Sequence, residues 1–186
     1  MTIEAQLFDD KFVTVDDRTA TLGGSFYFDP LRAYSPLPLK WCWEQLARYP
    51  KATLLDVGAS TGCYTLLAKH HPDLTVYAFE PVPLAYQVLR ENIYLNGLNE
   101  KADAFPVGIS NYDGMGVAYV VTADGGKGVS IVDGKPAYHK AVEQLNIRVL
   151  TLDKFCAKHG IIPTVIKIDT EGSEQLVLEG AAGVIE

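Results

Sequence analysis

Two acidic residues, each close to the end of an apolar run, have the spacing of a cofactor site. Asp56 lies in the run 53–57, which a turn of small residues follows at 58–62. Glu80 follows the next apolar run, 75–79. Parallel sheets bind ligands at the carboxyl ends of their strands, and an acid after the second strand can accept both hydroxyls of a ribose. The pattern therefore predicts a site for a nucleoside-bearing cofactor.

The turn after Asp56 narrows the kind of cofactor. Gly58 permits a sharp turn and a close approach to a ligand, and Gly62 would let the following helix pack close to the strand. Cys63 stands where a phosphate-binding loop has Lys, and Ser60 departs from the glycine pattern of a dinucleotide loop. An acid before the turn would repel a pyrophosphate but suits a positively charged cofactor. S-adenosylmethionine, which carries a sulfonium and an ammonium group, fits this pattern.

Alternating strands and helices must position these residues. Continuous apolar runs predict strands covered on both faces, and the helix at 83–96, with Ala85, Leu89 and Ile93 on one face, should end at Gly97. The expected order is a strand at 53–57, a helix at 63–70, a strand at 75–79, the helix at 83–96 and a strand at 104–109. This order predicts an α/β fold with a doubly wound, mostly parallel sheet.

The flanking segments are expected to be less regular. The pattern of residues 1–30 predicts a short strand pair or an ordered arm. We expect this arm and the helix after it, together residues 1–49, to pack on a domain formed by residues 50–186. A helix should follow Pro36 and Pro38, and its buried residues should be Leu39, Trp43, Leu46 and Ala47. Beyond 109 we expect a hairpin of 117–121 with 129–132, a strand at 147–150, a helix at 152–159, a fourth core strand at 165–168 and a helix from Ser173.

The composition excludes several classes of protein. The 186 residues, 48% of them hydrophobic, suffice for one domain with a real core. A net charge of −7 disfavours a nucleic-acid partner, no apolar run is long enough for a membrane span, and the N-terminus lacks a signal peptide pattern. The widely spaced Cys42, Cys63 and Cys156 argue against disulfides or a zinc site and favour a cytoplasmic location.

Taken together, these motifs resemble a known family. The segments 56–62 and 79–81 are similar to the cofactor motifs of class I S-adenosylmethionine-dependent methyltransferases, which have a Rossmann-like fold. The segments 151–155 and 166–174, with the helix end at 92–97, resemble the FkbM family of that superfamily. The resemblance covers about residues 50–183 of the chain.

The resemblance implies O-methylation of a hydroxyl group on a sugar, a glycan or a secondary metabolite, with S-adenosylmethionine as cofactor. Asp169 would end the fourth strand and face the methionine end of the cofactor or the incoming nucleophile. Glu171 and Glu174 match further acids of the family motif, and Ser130 looks like a family serine. The cofactor-binding residues that it implies are Asp56, Gly58, Ala59, Ser60, Gly62, Glu80, Pro81 and Asp169.

Methyl transfer to a hydroxyl group is helped by a base, because an alcohol is a poor nucleophile until its proton leaves. The candidate catalytic residues are Asp169, Glu171 and Glu174, with His139 as a weaker candidate. Neighbouring carboxylates raise one another's pKa, which suits a base. A structural role is also open, because acids favour a helix N-terminus. We rank Asp169 first and Glu171 second.

The chain ends at Glu186, whereas the superfamily that it resembles has seven strands in the order 3-2-1-4-5-7-6. The expected fourth core strand, 165–168, would then lie at a sheet edge. Three explanations stay open: a fragment of a longer protein, which we favour, an edge that pairs with a partner or second copy, or a degenerate copy. The alternative functions are a non-catalytic cofactor-binding or assembly module and, less favoured, an NAD-dependent oxidoreductase. A hydroxyl acceptor would be recognised by residues 110–146 and 20–40.

Overall fold

A computed structural model describes residues 1–20, 37–121, 129–130 and 142–186 of the chain. The strands in these ranges are β1 (Thr2–Phe8), β2 (Lys11–Asp16), β3 (Ala52–Val57), β4 (Leu74–Phe79), β5 (Ala102–Phe105), β6 (Gly108–Ile109), β7 (Gly114–Val121), β8 (Val129–Ser130), β9 (Val142–Leu150) and β10 (Val165–Ile168). The helices are α1 (Leu37–Leu46), α2 (Pro83–Leu95), α3 (Leu152–His159), α4 (Glu174–Glu179) and α5 (Ala182–Ile185). Short 3-10 helices occupy Asp17–Ala20 and Thr65–Lys69.

The central sheet is parallel and has the strand order β10-β3-β4-β5. This confirms the predicted α/β fold with a doubly wound sheet. The chain moves outward from β3 to β4 and β5, and later returns to place β10 on the other side of β3. The strand order therefore reverses beside β3, and parallel sheets open a ligand crevice at such a point, outside the carboxyl ends of the strands.

The central sheet is covered on both faces, which explains its continuous apolar runs. Alternate residues of a strand point to opposite faces. Leu54 belongs to a core cluster that includes residues of the β1–β2 hairpin, α1 and α2, whereas the adjacent Leu55 belongs to a cluster with α3 and α4. In that second cluster the rings of Phe79 and Phe155 meet edge to face, with centroids 4.9 Å apart. The two layers hold the strand ends in a fixed arrangement.

A second sheet has the order β6-β9-β7-β8, and β7 pairs with both β8 and β9 antiparallel. The pairing of Tyr119 and Val120 with Ser130 and Val129 agrees with the predicted hairpin of 117–121 with 129–132. Residues 131–132, the hairpin tip and His139 lie outside the described residues. The predicted single strand at 104–109 is wrong. β5 ends at Phe105, and Gly108–Ile109 pairs instead with Val149 and Leu150 of the second sheet. Pro106, which has no N–H to donate, stands at this break.

Most helices lie where the sequence predicts them, with local differences. α2 buries Ala85, Leu89 and Ile93, and Gly97 has a φ of 67° beyond its end, as expected. The predicted helix at 63–70 is only a 3-10 helix over Thr65–Lys69. Ala47 is exposed because α1 ends at Leu46, and Cys42 joins the buried face of that helix instead. No helix in the described ranges is long and apolar enough to cross a bilayer.

Candidate active site

A cleft open to solvent lies at the carboxyl ends of β3, β4 and β10. Its wall brings together Gly58, Glu80, Pro81 and Asp169, which come from segments far apart in the sequence. The remaining lining residues are Phe79, Val107, Gly108, Ile109 and Thr170. A mainly apolar lining with a few polar groups is typical of a small-molecule site. The cleft lies where the reversed strand order places a ligand crevice.

Glu80 is the buried acid of the cleft, with only 5% of its surface exposed. Its two carboxylate oxygens accept hydrogen bonds from the backbone N–H groups of Ser60 (2.8 Å) and Val82 (2.9 Å). Burial raises the pKa of Glu80 to about 7, although the two backbone donors act in the opposite direction. Because each carboxylate oxygen has a second lone pair, the side chain retains capacity to accept bonds from a ligand's hydroxyl groups.

The turn after β3 aims its backbone at Glu80 and β4. Ser60 has a left-handed backbone with a φ of 50°, which is uncommon for a residue with a side chain, and its N–H donates to Glu80. The N–H groups of Gly58 and Ala59 both donate to the carbonyl oxygen of Phe79, at 3.1 and 3.0 Å. These bonds hold the turn against the end of β4. The backbone of the turn therefore lies beside Glu80, the residue predicted to bind the ribose hydroxyls.

Gly58 and Gly62 permit two close approaches. A Cβ on Gly58, whose φ is 71°, would lie 1.9 Å from the carbonyl oxygen of Asp169. A Cβ on Gly62, whose φ is 99°, would lie 2.7 Å from a methyl carbon of Leu89 in α2. The predicted close packing at Gly62 thus exists, but its partner is α2 rather than the next helix in the chain. Gly58 lets the turn meet the end of β10.

Asp56 lies beneath the turn and is completely buried. One of its oxygens accepts a hydrogen bond from Thr65 Oγ1 at 2.6 Å, and the other lies 3.2 Å from Lys167 Nζ. That second contact is an ion pair without hydrogen-bond alignment. The negative charge of Asp56 is therefore compensated by Lys167, and its side chain does not line the cleft. Direct contact between Asp56 and a cofactor stays a prediction.

The acids after β10 take different positions. Asp169 is exposed and lines the cleft. Glu171 is also exposed and has a left-handed φ of 54°; desolvation and the charges of Asp169 and Glu174 raise its pKa. Glu174 accepts bonds from the Thr170 N–H (2.9 Å), the Thr170 hydroxyl (3.2 Å) and the Gly172 N–H. Glu174 therefore holds the loop in shape, whereas Asp169 reaches the cleft.

The pKa of Glu174 agrees with this holding role. Burial alone would raise the pKa, but the backbone donors around the carboxylate outweigh burial and leave it below its usual value. A carboxylate with a lowered pKa is a weak base. Glu174 is accordingly less suited to accept a proton than Glu171, whose pKa is raised.

The sequence analysis missed two polar side chains that support the turn. Lys167 Nζ donates to the carbonyl oxygen of Gly58 at 2.6 Å. Asn92 of α2 donates to the carbonyl oxygen of Thr61 at 2.8 Å and accepts from the N–H of Asp16 at 2.7 Å. Each had a visible signal: Lys167 interrupts an apolar strand, and Asn92 lies one turn from Val88 and Leu89 on the buried face of its helix.

Two known proteins are similar to parts of this chain. The 31-O-demethyl-FK506 methyltransferase FkbM of Streptomyces tacrolimicus is 28% identical over 155 residues, which cover 70% of this chain and 60% of that protein. Methyltransferase sdnD of Sordaria araneosa is 29% identical over 93 residues, which cover 49% of this chain and 36% of that protein. The chain thus spans between about a third and three fifths of these relatives.

A solved structure and a family model complete the comparison. The structure of the SAM-dependent methyltransferase from Agrobacterium tumefaciens is 15% identical, with a TM-score of 0.42, and the match covers 57% of this chain and 32% of that one. The model of the methyltransferase FkbM domain matches residues 56–186, which include the end of β3, the turn, Glu80 and the acids after β10. The chain belongs to the FkbM methyltransferase domain family.

Proposed function

We propose that this chain carries the cofactor site of an O-methyltransferase that acts on a hydroxyl group of a sugar, a glycan or a secondary metabolite. The family is one of methyltransferases, and S-adenosylmethionine is the cofactor that it implies. Support for a hydroxyl acceptor comes from the relative from Streptomyces tacrolimicus, whose name describes the methylation of a 31-O-demethyl compound.

The residues of the cleft fit S-adenosylmethionine. Glu80 offers a buried carboxylate with unused lone pairs, which suits ribose hydroxyl donors. Gly58 lines the cleft, so its backbone lies within reach of a ligand there. Asp169 is the second acid of the cleft wall, and we place it at the reacting end of the cofactor. When bound, the cofactor supplies an electrophilic methyl group on its sulfonium.

The chain's own residues would align the acceptor and manage its proton. Phe79, Val107 and Ile109 give the cleft an apolar wall that excludes water. Asp169 is the exposed acid of that wall, so it is the residue we assign to accept the proton of the acceptor hydroxyl. Glu171, whose pKa is raised, is the second candidate for this role.

The single observation that carries the proposal is the buried Glu80 carboxylate facing a cleft that Asp169 also lines. Calorimetric titration with S-adenosylhomocysteine tests the cofactor. We expect binding to the unmodified chain, a large loss of affinity in Glu80→Ala, and no loss in the control Glu100→Ala, since Glu100 lies before β5 at the opposite end of the sheet. A folded chain that does not bind, or binding insensitive to Glu80→Ala, would overturn the proposal.

A second experiment tests the acceptor. A panel of sugars, glycans and hydroxylated secondary metabolites is incubated with S-adenosylmethionine, and methyl ethers are sought by mass spectrometry. Methylation of oxygen in any of these compounds supports the proposal. Cofactor binding with methylation only of amine or thiol control compounds would contradict the assignment of a hydroxyl acceptor.

A further inference from the structure

The ammonium group of Lys167 contacts the turn of the candidate site from the β10 side. Only 10% of the Lys167 side chain is exposed, and Asp56 beside it is completely buried. The two residues are direct neighbours in the parallel pairing of β10 with β3. Their charges therefore face each other across the same strand pair whose ends form the cleft floor.

Lys167 does more than neutralise Asp56. Its Nζ donates to the carbonyl oxygen of Gly58 at 2.6 Å and approaches that of Val57 at 3.3 Å. It also lies 5.1 Å from the ring centroid of Tyr64, a distance suited to a cation–π contact. The shortest of these contacts is to the first residue of the turn, so the lysine binds the backbone that must approach the cofactor.

The contacts of Gly58 show why this bond matters for the shape of the site. The Gly58 N–H donates to Phe79 at the end of β4, while its carbonyl oxygen accepts from Lys167 on β10. The turn is therefore held from both neighbouring strands. On the β10 side, the side chain that binds the turn is Lys167. Asp169, two residues further along and just after the end of β10, lines the cleft.

We infer that Lys167 is a positioning residue: held in place by Asp56, it fixes the Gly58 carbonyl and so pre-forms the turn that binds the cofactor. Asp56 acts on the cofactor through Lys167 and the turn rather than by direct contact. The identity of the ligand in this inference rests on the proposed function. The contacts of Lys167 with Asp56 and Gly58 are observed in the structure and do not depend on it. A ligand site loses affinity when its supporting groups no longer hold it in register.

A double variant that removes both charges separates the effect of Lys167 on the turn from its effect on the stability of the fold. Lys167→Met alone leaves the Asp56 carboxylate buried without its partner, which is strongly destabilising. The double variant Asp56→Asn with Lys167→Met removes both charges, so it should regain most of that stability. The double variant still lacks the bond to the Gly58 carbonyl. We expect its affinity for S-adenosylhomocysteine to stay at least about tenfold below that of the unmodified chain, because the turn loses a contact that holds it in the binding geometry.

Lys101→Met is the matched control. Lys101 is also partly buried, and its Nζ donates to the carbonyl oxygens of His71 (2.8 Å) and Ala68 (3.4 Å). It precedes β5, at the end of the sheet opposite the cleft. We expect this variant to lose stability while its affinity for S-adenosylhomocysteine stays within twofold of the original. A folded double variant with an equally unchanged affinity would overturn the inference.

Amide hydrogen exchange of the ligand-free protein gives a readout that does not depend on the cofactor. The double variant should exchange faster at residues 58–62, while β4 and α2 keep their protection. If the unmodified chain fails to bind S-adenosylhomocysteine but this local change is present, the positioning role stands and the proposed function fails. Unchanged exchange at 58–62 in the double variant would overturn the positioning role.

Discussion

The backbone carbonyl oxygen of Asp169 lies where a side chain on Gly58 would have to begin. The distance from that oxygen to an added Cβ would be 1.9 Å, and the obstacle is backbone rather than a flexible side-chain end. We therefore expect Gly58→Ala to separate the turn from the end of β10. It should lower the free energy of unfolding by more than about 3 kcal/mol, as steric conflict in a packed region does. Urea denaturation measures this change.

Gly97 provides the control for Gly58. Its φ of 67° is nearly the same, yet an added Cβ would meet nothing within 4 Å. Gly97→Ala should therefore cost only the left-handed backbone strain, about 1 kcal/mol. Equal losses in the two variants would show that strain alone, and not the approach to Asp169, makes glycine necessary at position 58.

The raised pKa of Glu80 predicts that cofactor affinity depends on pH near neutrality. Ribose hydroxyls donate to the ionised carboxylate, so binding favours the form that predominates above a pKa of about 7. As the pH falls below 7, protonated Glu80 must release its proton before binding, and the affinity should fall by up to about tenfold per pH unit. Calorimetry with S-adenosylhomocysteine between pH 8 and pH 5.5 measures the slope, and buffers of different ionisation enthalpy detect the released proton.

Two controls assign this slope to Glu80. Glu80→Gln should bind more weakly at every pH and show no proton release in this range. Adenosine, which retains the ribose but lacks the amino-acid end, should show the same slope with the unmodified chain. A slope seen only with S-adenosylhomocysteine would locate the titrating group at the methionine end of the site and contradict the prediction.

The bonds that Glu174 accepts predict an acid-sensitive contribution to stability. Its folded pKa lies below the usual value, so its contribution is present at neutral pH and is lost as the pH falls through that folded pKa. Glu174→Gln should lower the free energy of unfolding by about 1 kcal/mol at pH 7, since the group is partly exposed and screened. Urea denaturation at pH 7 and pH 4 should show the difference shrinking, and a difference that is constant with pH would contradict this.

Local patterns predicted the elements that carry the site, because each depends on neighbours in the sequence. The continuous runs of β3, β4 and β10 and the apolar face of α2 were recognisable for this reason. Contacts set by distant partners were not. The separation of Gly108–Ile109 from β5 depends on pairing with β9, and the ion pair of Asp56 with Lys167 depends on the register of two strands more than 100 residues apart. The spacing of Asp56 in the sequence therefore predicted its place near the end of a strand beside the site. Its ion pair with Lys167 follows from the pairing of β3 with β10, which the local sequence does not determine.

The left-handed backbone of Ser60 predicts a tolerance for glycine and an intolerance for branched residues. In this conformation its N–H donates a hydrogen bond to Glu80. Ser60→Gly should retain stability within about 0.5 kcal/mol, because relief of strain offsets the greater freedom of the unfolded chain. Ser60→Val should cost about 1–2 kcal/mol. Thermal denaturation compares the variants, and a more stable valine variant would contradict the assigned conformation.

Asp169 and Glu171 can be separated as candidate bases because they differ in backbone conformation and position. Asp169 lines the cleft, so Asp169→Asn should abolish most methyl transfer, about 10²-fold or more, as loss of a general base does. Glu171 has a φ of 54°, which glycine adopts without strain. Glu171→Gly therefore removes the carboxylate while keeping the loop, and we expect it to retain most of the activity. Rates of methyl transfer by the two variants, measured at saturating S-adenosylmethionine, decide which residue is the base. Loss of activity in Glu171→Gly with a retained rate in Asp169→Asn would reverse the assignment and make the raised pKa of Glu171 the property that serves catalysis.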